Sequence, residues 1–180
     1  MAHVCPWWFA YTFDNPLRRL FHKPEEMFVD YVKEGQVVAD VGCGMGYFSL
    51  GLARIVGSTG KVYSIDIQKQ MLTRVKKRAA RAGLESIIIP QLISPDSLEL
   101  KEPLDFTLAF WMVHETENIE RFLSEIYSGL KSGGMLLITE PKFHVSLDDI
   151  NNEIEIAEGL GFKLTDRPGI SFSHTALLKK

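Results

Sequence analysis

From residue 37 onward, short apolar runs alternate with stretches whose apolar residues recur at three- and four-residue intervals. Residues 37–41, 61–67, 86–93, 104–110 and 135–139 read as strands with apolar side chains on both faces. Residues 47–56, 68–82, 119–130 and 147–160 read as amphipathic helices, the second with Met71, Leu72, Val75 and Ala79 on one side. Strands joined through helices are crossovers, and crossovers build a parallel sheet between two helix layers. The pattern breaks at the end. Residues 161–166 and 172–178 are both strand-like, and the five residues between them are too few for a crossover, so the pair forms an antiparallel hairpin. The expected fold is an α/β sandwich on a doubly wound seven-stranded sheet with an antiparallel last strand. Ser146 is placed to cap the helix that follows it, with Asp149 three residues on. Pro24-Glu25-Glu26 opens an earlier helix that carries Met27, Phe28, Tyr31 and Val32 and is stopped by Gly35.

The 180 residues read as one domain, with 1–35 as an N-terminal aromatic lid segment and 36–180 as a cofactor-binding core. A formal net charge of -3 argues against a surface built for duplex nucleic acid. The two cysteines, Cys5 and Cys43, stand in no spaced array, which fits a reducing, cytoplasmic setting. No apolar run approaches the ~20 residues of a membrane span.

The first strand runs into Gly42-Cys43-Gly44-Met45-Gly46, and Asp66 stands twenty residues after Gly46 at the end of the next strand. Glycines between strand and helix let the backbone approach a ligand, and an acid at the neighbouring strand end takes ribose hydroxyls. The spacing is G-x-G-x-G, not the G-x-G-x-x-G that seats a pyrophosphate. This disfavours a nicotinamide-dependent enzyme and favours an adenosyl ligand without phosphates.

The stretches ADVGCGMG, VYSID, LDFTLAFWMVHE, LKSGGMLLITEPK and GFKLTDRPGISFSHTALLKK occur in that order. Together they resemble class I S-adenosylmethionine-dependent methyltransferases, above all the small ubiquinone and menaquinone type. The resemblance runs from about Gln36 to the C-terminus. It implies a Rossmann-like sheet of six parallel strands with the antiparallel seventh near one edge, and S-adenosyl-L-methionine as cofactor. It also implies that Gly42, Gly44 and Gly46 pass under the methionine part and that Asp40 holds the ammonium. Asp66 would grip both ribose hydroxyls, Ile67 would pack on adenine, and Phe110 and Trp111 would wall the methionine arm. The family's acid after the third strand is missing. Leu92-Ile93-Ser94 stands there, leaving adenine to Ser94, the backbone, or Asp96 in substitution.

The methyl of a sulfonium is already activated, so the protein must align an acceptor and exclude water. A hydroxyl or ammonium acceptor also needs a base. His114 after the fourth strand is the candidate, with Glu115 to orient it; the competing reading is a helix cap or substrate contact. Trp7, Trp8 and Tyr11 read as a substrate lid over an apolar or planar molecule, or else as sheet cover or a homodimer contact. Cys5-Pro6 resembles regulatory dipeptides whose thiolate binds haem iron, with His3 and His22 as nearby alternative ligands. The rival function is therefore a cofactor-binding sensor with haem or metal at Cys5. Two cysteines are too few for the thiolate cage of arsenite methylation. The basic residues of 68–82 read as a solvated helix face, and Ala109-Phe-Trp-Met112 lacks the Asn-Pro-Pro-Tyr-like tetrad of nucleic-acid amino-methylating enzymes. The expected function is methyl transfer from S-adenosylmethionine to a small apolar or aromatic molecule, with neither nucleic acid nor membrane as partner.

Overall fold

The computed structural model describes residues 18–95 and 97–180, with Arg19 by its backbone alone. The chain enters through two short helices, α1 (Arg18–Phe21) and α2 (Pro24–Phe28). Then follow β1 (Val37–Val41), α3 (Tyr47–Val56), β2 (Lys61–Asp66), α4 (Lys69–Ala82), β3 (Ile88–Leu92) and β4 (Leu104–Phe110). A 3-10 turn (Val113–Glu115) leads to α5 (Ile119–Gly129), β5 (Leu130–Pro141), α6 (Leu147–Gly159), β6 (Lys163–Asp166) and β7 (Ser173–Lys179). The strands form one sheet in the order β3-β2-β1-β4-β5-β7-β6. β7 is antiparallel to both β5 and β6, and the other pairs are parallel.

The two faces of the sheet are separated by the period-two alternation of its strands. On one face Val38, Phe106, Leu108 and Phe110 pack with Phe48 and Leu52 of α3 and Leu72 and Val75 of α4. On the other, Ala39, Val41 and Ala109 pack with Leu123 and Ile126 of α5 and Ile150 and Ile154 of α6. Most of these side chains are wholly buried, and each such burial contributes about 1.5–3 kcal/mol for a large aliphatic or aromatic residue. A one-residue slip of β4 would exchange Phe106 and Leu108 with their neighbours across the sheet, so its register is fixed by both layers.

Two expectations need correction. The helix opened by Pro24 ends at Phe28 rather than running to Gly35. Tyr31 and Val32 instead donate to the Phe28 carbonyl (3.0 and 2.9 Å) in turns that still bury Val32. Gly35 then swings the chain toward β1 at φ +81°, its N–H reaching the Val56 carbonyl at 2.8 Å. The strand expected at 135–139 instead begins at Leu130, with residues 131–134 as a bulge inside a long β5. Leu104 pairs with Leu130, but Phe106 pairs with Met135. Ser146 and Asp149 form the expected capping box at the start of α6.

The strand order reverses between β1 and β4. Their carboxyl ends, with that of β2, frame the crevice in which open α/β sheets bind ligands.

Candidate active site

After Val41 the backbone turns through Gly42 (φ +66°), Gly44 (+53°) and Gly46 (+79°). A residue with a Cβ is strained in this left-handed region by roughly 1–2 kcal/mol. A Cβ on Gly42 would also stand 2.8 Å from Cγ of Met112. One on Gly44 would meet nothing within 4 Å, since Gly44 borders an open cavity. Gly46 has a different task. It caps α3, packs where a Cβ would meet Val75 at 3.0 Å, and is absent from the described cavity wall.

The turn is fastened to the end of β2. The Cys43 N–H donates to the Ile65 carbonyl at 3.0 Å. Asp66 accepts the Gly44 N–H on Oδ2 at 3.0 Å and the Gln68 N–H on Oδ1 at 2.8 Å. Each carboxylate oxygen keeps a lone pair for a further donor. Burial pushes Asp66 up to about 6 against the pull of these N–H groups. Asp40 lies deeper and accepts from Ser49 Oγ at 2.5 Å. Burial pushes it up to about 7, while the Ser49 hydrogen bond and the Arg18 charge pull it down. Cys43 is a buried free thiol whose pKa burial raises well above the usual value, so it is poorly suited to act as a nucleophile.

These groups open on one cavity of about 500 Å³, within the ~300–1,000 Å³ typical of small-molecule sites. Asp40, Gly42, Gly44, Asp66 and Ile67 line one part, and Phe110, Trp111, His114 and Glu115 another. Ser94 is not in the described wall. Ile93 and Pro95 on either side of it are, together with Leu98 and Phe122, so the region beyond Ile67 is an apolar slot. Asp96 lies outside the described residues. Trp111 has φ +57° and is held there by its N–H to the Thr139 carbonyl (2.8 Å) and its indole N–H to Ser173 Oγ (2.9 Å). Non-glycine strain of this kind persists where the surroundings over-determine it.

His114 is oriented by an acid that the sequence reading did not name. Glu140, wholly buried near the end of β5, accepts the Val113 and His114 N–H groups on Oε1 (2.9 and 3.3 Å). Its Oε2 bonds to Nδ1 of the His114 ring. Burial pulls the His114 imidazole down, but the hydrogen bond and charge of Glu140, with the charge of Glu115, outweigh it and the net shift is upward. His144, on the loop after β5, brings its ring centroid to 5.0 Å from that of His114.

Glu140, His144 and Arg18 were not picked out from the sequence. Glu140 had a signal: it closes an apolar strand, as Asp40 and Asp66 do. The expected roles of Trp7, Trp8, Tyr11, His3 and Cys5 fall outside the described residues. His22 is buried with Nε2 on the Ser171 carbonyl at 3.0 Å and belongs to no described group of metal-ligating side chains. No group of metal-ligating side chains occurs among the described residues, and no described helix is long and apolar enough to cross a membrane.

A glycine turn after β1, an acid ending β2 and a crevice at the switch point define a nucleoside-binding α/β fold. The chain belongs to the methyltransferase domain family, which it matches over residues 32–160. It is 33% identical over 113 residues to a demethylmenaquinone methyltransferase of Symbiobacterium thermophilum, covering 61% of this chain and 44% of that protein. It is 26% identical over 133 residues to a Saccharolobus solfataricus protein named for decarboxylating C(15)-methylation of cobalt-precorrin-6B, covering 73% and 63%. The chain thus spans less than two thirds of either relative. A crystal structure of a SAM-dependent methyltransferase from Aquifex aeolicus superposes with a TM-score of 0.84 at 23% identity, covering 98% of this chain and 99% of that one. That likeness shows the fold.

Proposed function

We propose that the protein transfers the methyl group of S-adenosyl-L-methionine to a small apolar or aromatic acceptor. The carrying observation is that Asp66, the glycine turn and His114, which Glu140 holds from behind, open on one cavity. The residues fit this cofactor. Asp66 has the acceptors for two ribose hydroxyls, Asp40 is an acid for the ammonium, and the Ile67–Ile93 slot is apolar enough for adenine. Gly44 leaves open the space that a side chain would fill. When bound, the cofactor supplies a sulfonium methyl whose leaving group is a neutral thioether.

The chain supplies binding, alignment, water exclusion and a proton acceptor. Glu140 holds His114 through Nδ1, which assigns proton acceptance to Nε2. Because Glu140 raises the His114 pKa, the ring becomes a neutral base only above the ordinary histidine range. At the mouth, Phe143 is 67% exposed and stands edge-on to Trp111 at 5.5 Å, a wall suited to a planar or apolar acceptor. The relatives named for demethylmenaquinone and cobalt-precorrin-6B support a small-molecule acceptor. Most basic residues of α4 face solvent opposite its buried Met71–Val75 side, and this reading takes them as a solvated helix face. Residues 36–180 are the cofactor-binding core in this reading, and 1–35 its cover.

The test is an acceptor screen read by S-adenosylhomocysteine release. With an acceptor in hand, His114→Ala is expected to lower turnover about 100-fold or more while S-adenosylhomocysteine affinity is kept. The wild-type rate should rise with pH along a limb displaced above 6.5. Release with no acceptor in a quinone- and phenol-rich panel, or full turnover by His114→Ala, contradicts the respective assignment.

A further inference from the structure

We infer that His144 is the outlet for the proton that His114 takes from the acceptor, an inference that rests on the His114 base assignment above. In the tautomer of that assignment, Nδ1–H of His114 donates to Glu140 and Nε2 is bare. When Nε2 takes a proton, the ring becomes an imidazolium beside a buried carboxylate. The charges of Glu140 on β5 and of Glu115 on the 3-10 turn both favour that charged form. The base is spent until the proton leaves, so the site needs an exit for it.

The inward side is closed. Glu140 is wholly buried, its Oε1 accepts the Val113 and His114 backbone N–H groups, and its Oε2 is bonded to Nδ1 rather than to Nε2. Glu153, whose charge acts on Glu140 from α6, is buried as well. The His114 side chain is 19% exposed and opens on the cavity that an acceptor would fill.

The outward side leads to His144. The two ring centroids lie 5.0 Å apart with the ring planes at 65°. Both rings line the cavity, and they are the two histidines among its described residues. His144 is exposed, so the pair runs from the cavity wall to water. The rings meet edge to face. Transfer therefore proceeds by a turn of the exposed His144 ring about its side-chain bonds, or through one bridging water. An imidazole is the side chain suited to pass on a proton near neutral pH.

One short stretch of chain sets both ends of this line, since His144 follows Glu140 by four residues. The His144 and Val145 N–H groups both donate to the Pro141 carbonyl, at 3.0 and 2.9 Å. Val145 is buried, and the Lys142 N–H donates to the Phe172 carbonyl at 2.9 Å. The backbone of His144 is thus fixed while its ring stands in solvent. In the transfer, the Nε2–H bond of His114 breaks and leaves its electron pair on Nε2. The proton adds to the unprotonated nitrogen of His144, directly or through a water that gives one proton as it takes another. His144 then releases a proton to solvent, and both rings are neutral again.

The test needs no acceptor. In the full chain labelled with nitrogen-15 histidine, NMR reads the His114 tautomer, its titration midpoint, and the exchange of its Nε2 proton with water just below that midpoint. The five histidines are assigned by single variants. We expect His144→Gln to slow this exchange about tenfold or more, where loss of a bystander would change it about twofold or less. Free imidazole in the buffer should restore the rate, and His144→Asn should behave as His144→Gln does. The Nδ1–H signature of His114 should stay unchanged and serves as the fold check. Exchange unaltered in both variants would give His114 its own path to water and overturn the inference. Slowed exchange that imidazole does not restore would make His144 a structural neighbour and overturn it too. In both cases the base assignment stands. A wild-type His114 whose neutral ring carries its hydrogen on Nε2 overturns the base assignment and the inference together.

Discussion

Glu153 is a buried acid on α6 whose Oε2 has no hydrogen-bond partner. Burial, then repulsion from Glu140 and Asp149, pushes its pKa up to about 8. The group is therefore protonated in the fold at neutral pH and ionised in the unfolded chain, where its value is 4.5. Such a carboxyl favours the folded state least at high pH: its penalty grows from pH 4.5 and levels above pH 8. Glu153→Gln removes the titration. We expect the variant's advantage in melting temperature to widen from pH 5 to pH 8 and then stay constant, read from thermal melts in a pH series. A constant gap across that range would show that Glu153 is ionised in the fold. Asp40, Asp66 and Glu140 all close strands at the same sheet edge, yet only the first two were legible as site residues. They flank the glycine turn, whose spacing has a ligand meaning. Glu140 takes its meaning from His114, 26 residues earlier, and that pairing exists only once β4 and β5 are side by side. Arg18 was illegible for the same reason: its ring partners come from α3 and β4.

At the scale of elements, periodicity carried the reading. β1, β4 and α3 fall at their expected bounds, because each has a consistent apolar face and a glycine, aromatic or charged boundary. The stretch after Pro24 did not, since helical spacing of Phe28 and Val32 is satisfied equally by one helical turn followed by two tight turns. The β5 bulge was unreadable because it depends on the register with β4. The start of α6 was legible in chemical detail. Ser146 accepts the Asp149 N–H at 3.2 Å, and Asp149 accepts the Ser146 N–H at 2.9 Å. Ser146→Ala should lower stability by about 1 kcal/mol, a drop in melting temperature of about 2–4 °C for a chain of this size. Since α6 follows the loop that carries Phe143 and His144, the same variant should leave S-adenosylhomocysteine affinity unchanged while loosening the acceptor wall. A melting temperature equal to wild type would mean that the cap is replaced by solvent.

The molecule as a whole is a sheet whose order reverses once, and its chemistry sits where that reversal opens the edge. α3 and α4 bury one face and α5 and α6 the other, so the strand ends are the part of the sheet left available to a ligand. This division was legible because the two sides have different helices in sequence order. The acceptor was not, because the described walls beside His114 come from β4 and the loop after β5. The central claim is that the crevice binds an adenosyl amino acid and that Asp66 holds its ribose. Titration calorimetry of S-adenosylhomocysteine into wild type and Asp66→Asn tests it most directly. We expect one site per chain in the wild type and affinity about tenfold to hundredfold weaker in the variant, with circular dichroism unchanged. A wild-type chain that gives no heat, or a variant that binds as tightly as the wild type, contradicts it.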